Sequence, residues 1–462
     1  MSKLFGDKKF YKMVLGIAIP IIIQNGITNF VSLLDNIMVG QVGTEQMSGV
    51  AIVNQLMFVF NLALFGAVSG PGIFTAQYVG QKNHEGVRYT VRFKLYISLA
   101  IAVVGIAVMW LFKGQLISLF LTDNNDGIDL MATLGYAKDY LMVMLVGMIP
   151  FAVTQAYAGT LRESGETKVP MVAGLIAVFV NLCFNYILIF GHFGAPKLGV
   201  AGAAVATVLS RFVEVIIVIV WTHTHYERVP FSKGLYKSLR IPASLTGKII
   251  TKGTPLFLNE LLWSMGMSAL TQCYSTRGLE VIAAFNISNT IVNLFNVVLI
   301  SMGSVVAIII GQKLGSGDTE EVVDTDRKLI VFSVLLCAVL GILLIVLAPL
   351  FPKLYNTSDS IRRLSVSLMR IAAAFMPVGA FLNSAYFTIR SGGKTFITFL
   401  FDSAYLWVIC WPIAYILSRY TDMSLLTMYP IILSLDFIKV TVGAILLKKR
   451  IWIQNLVEET DY

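Results

Sequence analysis

Charged residues are scarce in this sequence, and their scarcity excludes most soluble proteins. Only 13% of its 462 residues are charged, whereas roughly a quarter are charged in an ordinary soluble domain. Hydrophobic residues make up 56%. The composition therefore predicts a membrane protein.

Chemistry-bearing motifs are missing as well. The four cysteines, Cys183, Cys273, Cys337 and Cys410, lie in apolar runs without CxxC or metal-ligand spacing. No HExxH or nucleophile elbow is present. The segment SGGKT at 391–395 lacks the first glycine and the preceding strand of a phosphate-binding loop. We therefore expect no enzymatic activity, no ATP-driven step, no bound metal and no cofactor.

Long apolar runs dominate what is present. Each has the roughly 20 residues that a helix needs to cross the hydrocarbon core. The twelve runs lie near 13–39, 50–79, 91–112, 136–161, 169–191, 199–221, 255–275, 281–311, 329–351, 364–389, 395–418 and 424–447. They lack the alternation of a membrane barrel, so the predicted fold is an all-α bundle of twelve transmembrane helices.

The basic residues indicate the orientation of this bundle. Of 35 lysines and arginines, 24 lie in the termini and the loops of one side, 8 in the opposite loops and 3 inside spans. By the positive-inside rule both termini are cytoplasmic. The net charge of +9 is thus a topology signal, and we expect no nucleic-acid partner.

The two halves of the chain repeat one design. PIIIQNGITNF from Pro20 aligns with PLFLNELLWSM from Pro255 at a constant shift, which sets Asn25 against Glu260 and Asn29 against Ser264. Each half holds six spans and begins on the same side, as in parallel transporter repeats. The sequence predicts an N-lobe at 1–222, a cytoplasmic linker at 223–253 and a C-lobe at 254–462, around a central cleft.

Five motifs resemble those of the multidrug and toxic compound extrusion (MATE) transporters of Gram-positive bacteria. They are LLDNIMVG at 33–40, VGQKN at 79–83 with IGQKL at 310–314, LRESGETKVP at 161–170, TIRSGGKT at 388–395 and LNELLWSMGM at 258–267. The resemblance covers essentially the whole chain. It implies a multi-pass inner-membrane antiporter, working as a monomer among lipids, that exports small organic and often cationic molecules against H⁺ or Na⁺.

Polar residues inside the spans are the candidate site. Because ionisable groups at membrane depth are costly, each needs a partner, a water-filled cavity or a function. Helical stripes of amides and hydroxyls indicate a solvated cleft, although such residues also hydrogen-bond between membrane helices. The candidates for cation coupling or substrate binding are Glu260, Asp35, Asn25, Asn29, Asn54, Asn181, Asn185, Ser264, Asn286, Asn289 and Asn293.

Two carboxylates stand out among these candidates. Glu260 fills the slot of Asn25 in the other lobe and is a candidate to exchange H⁺ or Na⁺ for a cationic substrate; its alternative is a carboxylate satisfied by neighbouring polar groups. One branch of the resembling family uses an acid on the first span with polar or acidic partners on the fifth; Asp35 matches the first, while Asn185 stands where an acid is wanted. Another uses acids on the seventh and tenth spans, where Glu260 has Asn383 and Arg370 as candidate partners but no second acid. The coupling ion and the lobe stay open.

The remaining charges inside the spans have structural interpretations. Arg211 with Glu214, and Asp436 with Lys439, are spaced i, i+3 and are predicted to form ion pairs. Arg370 and Asp402 either pair across adjacent helices or take part in transport.

An alternative function is a flippase for lipids or lipid-linked oligosaccharides of the related superfamily. Such a protein is expected to have a more cationic cleft, whereas the unpaired interior charges here are mainly acidic.

Overall fold

The computed structural model describes residues 4–120, 129–355 and 357–457, and in these ranges the protein is helical without β-strands. The first half contains α1 (Lys8–Gly40), α2 (Thr44–Gly80), α3 (His84–Leu111), α4 (Lys113–Ser118), α5 (Leu130–Val146), α6 (Met148–Glu163), α7 (Lys168–Phe190) and α8 (Val200–Thr224). The second half contains α9 (Ala243–Ser275), α10 (Leu279–Ser316), α11 (Thr319–Leu347), α12 (Asp359–Ser391), α13 (Thr395–Phe399), α14 (Trp411–Tyr420), α15 (Leu425–Ser434) and α16 (Asp436–Lys448). The predicted all-α fold is confirmed.

Most of the predicted spans coincide with membrane-length helices. Over the described ranges, ten helical segments are long and apolar enough to cross a membrane, and the bent pair of α5 and α6 supplies an eleventh. The remaining predicted span, 255–275, lies on α9. That helix is 33 residues long, but Asn259, Glu260 and Ser264 interrupt its apolar sequence.

Three of the predicted spans are broken. The fourth bends by 45° at Gly147, between α5 and α6, because Pro150 has no N–H to donate to the carbonyl of Val146. The eleventh contains two π-helical segments, Leu400–Ala404 and Leu406–Cys410. The twelfth turns at Leu435, whose carbonyl accepts a 2.6 Å hydrogen bond from the Tyr405 hydroxyl.

Internal contacts divide the chain into two units. Unit 1 comprises the chain up to Ile22, Ala76–Lys82 and the chain from Ile250 onward. Unit 2 comprises Ile23–Thr75 and Asn83–Ile249. Whereas the predicted N-lobe holds all of α1 and α2, both helices here contribute residues to both units. Most of the predicted linker belongs to unit 2.

In unit 1 the repeated GQK motifs lie where two helix backbones pack closely. A Cβ atom added at Gly80 of α2 would collide with the backbone of Gln312, and one at Gly311 of α10 would lie 2.7 Å from the Cβ of Ala76. Only glycine allows helices to approach this closely without a side chain between them. The structural role that the glycines of these motifs suggest therefore has a specific basis.

Gln77 in this region also holds the C-terminal segment of unit 1. Its Nε2 donates to the carbonyls of Ser391 (2.9 Å) and Gln454 (3.2 Å). Its Oε1 accepts from the backbone N–H of Leu456 at 2.7 Å. One buried side chain thus fixes residues 451–457 against the end of α12.

We expect Gln77→Leu to loosen this segment without unfolding unit 1. A hydrogen bond contributes about 0.5–1.5 kcal/mol, so losing three should raise amide exchange at Leu456 by at least about tenfold. Hydrogen–deuterium exchange of the C-terminal peptide measures the change. Gln81→Leu, one turn further along the chain, is the matched control and should leave the exchange unchanged; equal exchange in both variants would contradict the assignment.

Candidate functional site

A polar cavity of about 380 Å³ lies inside unit 2, among residues of α1, α2, α5, α7 and α8. Val39, Val50, Met57, Phe58, Met144 and Ala203 form its apolar wall. Its polar lining consists of Ser32, Asp35, Asn54, Asn61, Tyr140, Asn185, Thr207 and Arg211. We call it the Asp35 pocket. Three of the candidates for cation coupling or substrate binding, Asp35, Asn54 and Asn185, line this pocket. A fourth, Asn181, contacts Asp35.

Asp35 is held by amides of α7. The Nδ2 atom of Asn185 donates to Asp35 Oδ1 at 2.7 Å. With its amide oriented to satisfy its neighbours, Asn181 places its nitrogen 3.0 and 3.1 Å from the two Asp35 oxygens. The i, i+4 spacing of these buried asparagines puts both on one helix face. Hydrogen bonds to a carboxylate are stronger than those between neutral groups, so neutral donors fix the position of the carboxylate.

Arg211 does not form the predicted ion pair with Glu214. Its Nη1 donates to the carbonyl of Gly147 at 3.3 Å, and its guanidinium lies 4.8 Å from the ring centroid of Phe151. The same carbonyl accepts the backbone N–H of Phe151 at 3.2 Å, so Arg211 is a second donor to it. The carboxylate of Glu214 interacts electrostatically with Arg162 most strongly and with Arg211 more weakly.

Polar side chains of α1 donate hydrogen bonds to backbone carbonyls of the preceding turn of the same helix. Asn29 Nδ2 donates to the carbonyl of Asn25 at 2.9 Å, and Ser32 Oγ to that of Thr28 at 3.0 Å. Such bonds to the preceding turn are common for short polar side chains. Asn25 and Asn29 do not line the Asp35 pocket, so only the outer part of the predicted stripe belongs to it.

Asn259 organises a polar network within unit 1. Its Nδ2 donates to the Tyr386 hydroxyl and to Asp402 Oδ2, both at 3.2 Å. Its Oδ1 accepts from the Ser403 hydroxyl at 2.7 Å and from the Ser403 backbone N–H at 3.2 Å. Ser403 lies in the first π-helical segment, a kind of irregularity that is frequent at functional sites.

The predicted ion pair of Lys439 with Asp436 is wrong, and of the two alternatives for Arg370 the structure excludes the pairing with Asp402. Lys439 Nζ is 3.3 Å from Asp402 Oδ1 and makes no ion pair with Asp436 in the described structure. It also lies 5.3 and 5.6 Å from the ring centroids of Phe401 and Tyr405. Arg370 is exposed, and its Nε points to the carbonyl of Ile345 at 3.5 Å, so it does not meet Asp402. Tertiary packing brings Asp402 to Lys439, which a comparison of spacings along one helix does not reveal.

Glu260 is half-buried in unit 1, within electrostatic range of Arg390 and Asp402. Its neighbour Asn259, rather than Glu260 itself, makes the bonds to Asp402. The other candidates of unit 1 are more open: Asn286 and Asn293 are exposed, and Asn289 and Ser264 are half-buried. The sequence indicated Asn259 only as a neighbour of Glu260 and gave no signal for Tyr386 or Ser403.

Known proteins resemble this chain over most of its length. A model of the MatE family matches residues 20–187 and 255–416. The probable multidrug resistance protein NorM of Thermotoga maritima is 27% identical over 420 residues, covering 90% of this chain and 87% of that protein. The probable multidrug resistance protein YoeA of Bacillus subtilis is 24% identical over 411 residues, covering 88% and 87%.

Solved structures share the fold. An outward-facing multidrug resistance MATE family transporter of the MOP superfamily superposes with a TM-score of 0.83 at 21% identity, over 97% of each chain. A MATE crystal structure in the bent conformation gives 0.85 at 21% identity, over 97% of this chain and 96% of that one.

Proposed function

The chain belongs to the MatE family of multidrug efflux transporters, and we propose that it is a secondary active antiporter. It exports small organic molecules, mostly cations, in exchange for H⁺ or Na⁺ by alternating access. It works in the bacterial inner membrane as a monomer with both termini in the cytoplasm. The observation that carries this proposal is Asp35 in its pocket, held by two amides.

The partners of Asp35 explain why it suits ion exchange. Asn181 and Asn185 fix the carboxylate without cancelling its charge, and Asp35 forms no ion pair in the described ranges. A carboxylate at membrane depth costs about 2.5–3.5 kcal/mol by insertion scales, and such groups commonly mark ion pathways. The retained negative charge attracts H⁺, Na⁺ or an organic cation, and only one of them at a time neutralises it.

Competition for one carboxylate gives antiport when the site faces each side of the membrane in turn. A cation entering from the side of higher ion potential displaces the organic cation. Arg211 does not block this exchange, because its guanidinium donates a hydrogen bond to the carbonyl of Gly147 and its positive charge interacts with the carboxylate of Glu214. A flippase for anionic lipid carriers would require a predominantly basic pocket, and the Asp35 pocket contains one carboxylate and one guanidinium.

The test uses purified protein in vesicles loaded with a cationic dye. Dye efflux is followed by fluorescence after a pH gradient or a Na⁺ gradient is imposed separately. We expect one of the two gradients to accelerate efflux, and the responding gradient identifies the coupling ion. Unchanged dye movement under both gradients would overturn the proposal of coupled antiport for such dyes.

We propose Glu260 as a second coupling group, in unit 1. Its carboxylate lies within electrostatic range of Arg390 and Asp402, so Glu260→Gln, which removes that charge, should slow gradient-driven efflux. Glu227→Gln, an exposed carboxylate of the linker, is the control. Wild-type efflux in Glu260→Gln would remove Glu260 from the mechanism and leave Asp35 alone.

A further inference from the structure

A second and larger cavity, of about 700 Å³, lies in unit 2 where the linker covers the first turns of α3. Its lining shares no residue with the Asp35 pocket. We call it the α3–linker pocket. It is lined by Glu85, Arg88, Tyr89 and Arg92 of α3 and by Lys233, Gly234, Lys237, Ser238, Arg240, Ile241 and Pro242 of the linker.

The linker is fixed on α3 by backbone carbonyls rather than by ion pairs. Arg92 donates from Nε to Leu235 at 2.8 Å and from Nη1 to the carbonyl of Arg240 at 3.1 Å. Arg88 Nε donates to Phe231 at 3.2 Å. The Tyr96 hydroxyl donates to Leu239 at 2.8 Å.

The spacing of Arg88, Arg92 and Tyr96 places all three on one face of α3. The buried side chains of Phe231 and Leu235 anchor the covering segment. The pocket therefore exists before any ligand enters it.

The pocket carries a large uncompensated positive charge. Five of its residues are basic and one is acidic. None of the five basic side chains forms an ion pair in the described ranges. The carboxylate of Glu85 accepts from the Tyr89 hydroxyl at 2.8 Å. A low-dielectric cavity lined by charges of one sign concentrates its field and attracts counter-ions.

Arg92 has a donor that the linker carbonyls leave unused. Its side chain is only 5% exposed, and its Nη2 has no hydrogen-bond partner in the described part of the chain. Burying a charge without a counter-charge is unfavourable. A guanidinium group has five N–H donors that suit oxygen anions, and the linker carbonyls accept only from Nε and Nη1 of Arg92. The free donor suits an oxygen of a phosphate group.

We propose that the α3–linker pocket binds the phosphate of an anionic phospholipid headgroup. Guanidinium groups bind phosphate oxygens with short, charge-assisted hydrogen bonds. Lys233, Lys237 and Arg240 supply the additional charge that attracts anionic lipid to a membrane surface. The pocket lies at the end of a membrane-length helix, at the side that the basic loops predict to be cytoplasmic.

The surroundings of the pocket favour a lipid over a soluble phosphate. Leu239, Tyr236 and Tyr96 are exposed beside it, at 64%, 54% and 44% of their full surfaces. Tyrosine is enriched at membrane interfaces because its ring is apolar and its hydroxyl is polar. These side chains offer acyl chains a contact surface that a free phosphate does not need.

The experiment measures lipid retention by the full-length protein. Native mass spectrometry of detergent-solubilised protein quantifies bound phosphatidylglycerol, with phosphatidylcholine as the zwitterionic comparison and inorganic phosphate as the soluble one. The test variant is Arg88→Gln/Lys237→Gln/Arg240→Gln. The matched control, Lys8→Gln/Lys9→Gln/Lys12→Gln, removes the same charge from exposed residues at the same predicted side of the membrane.

We expect the pocket variant to bind phosphatidylglycerol at least tenfold more weakly and the control variant to bind like the wild type. A direct hydrogen bond between charged groups changes affinity by about tenfold or more, so Lys237→Gln alone should show about a tenfold loss. This single variant keeps the test valid if Arg88→Gln disturbs folding, because Lys237 is exposed. If both triple variants lost phosphatidylglycerol binding equally, the effect would be a general attraction of basic residues for anionic lipid, and the proposal would be overturned. Binding of inorganic phosphate without retention of lipid would also overturn it, in favour of a soluble ligand.

Discussion

Asp35→Asn is expected to abolish gradient-driven efflux while leaving the protein folded. Asparagine keeps the shape of the side chain, and its carbonyl oxygen can still accept the hydrogen bond from Asn185. It cannot carry a negative charge or take up a proton, so substrate and coupling ion no longer compete for one group. The stimulation of efflux by the effective gradient should therefore disappear.

The measurement compares initial rates of dye efflux with and without the imposed gradient. Dye movement down its own gradient should persist in the variant, because the rest of the Asp35 pocket remains. Asp422→Asn, an exposed carboxylate between α14 and α15, is the control and should behave like the wild type. If Asp35→Asn keeps its response to the gradient while Glu260→Gln loses it, the coupling group lies in unit 1 and our assignment is wrong.

Lys94→Met is expected to cause the largest loss of stability of any single substitution discussed here. Lys94 is fully buried and its ammonium pairs with the carboxylate of Glu163. It also donates to the Thr160 hydroxyl at 3.1 Å. Removing one partner of a buried pair leaves an uncompensated charge, which costs about 3–5 kcal/mol. Thermal unfolding in detergent should show a clear drop in midpoint.

A double variant separates charge from packing in this prediction. Lys94→Met/Glu163→Gln removes both charges and should recover most of the lost stability, because replacing a whole buried pair is often neutral. Lys12→Met, an exposed lysine of α1, should not change the midpoint. If Lys94→Met unfolds like the wild type, the pair contributes nothing to stability; if the double variant is as unstable as the single, lost packing is the cause.

Lys94 also shows where sequence analysis misplaced a residue. Lys94 is one of the 24 basic residues assigned to the cytoplasmic side, although it falls inside the third apolar run, near 91–112. The helix begins at His84 instead, where the side chain of Asn83 caps it by accepting from the backbone N–H of Gly86 at 2.9 Å. Lys94 is therefore three turns inside α3, and Glu163 of the LRESGETKVP motif supplies its counter-charge.

The family and the helical membrane fold followed from the sequence alone. The resemblance of five motifs indicates the family. Length and hydropathy decide the fold, because a backbone in lipid must form its own hydrogen bonds and each crossing needs a helix of fixed minimum length. The pairing of Asp35 with Asn185 followed from the resemblance to the family. Asn181 and Asn185 were predicted as one stripe by their spacing alone, because a helix places i and i+4 on the same face.

Only the tertiary structure decided which charges meet. Lys439 pairs with Asp402 of another helix, Arg211 donates to the carbonyl of Gly147 at the bend between α5 and α6, and five basic residues line one pocket under the linker. Spacing along a helix shows which residues share a face, but not which helix packs against that face or where a helix breaks. Partners of buried polar groups depend on contacts between residues far apart in the chain, and these appear only when the helices are packed.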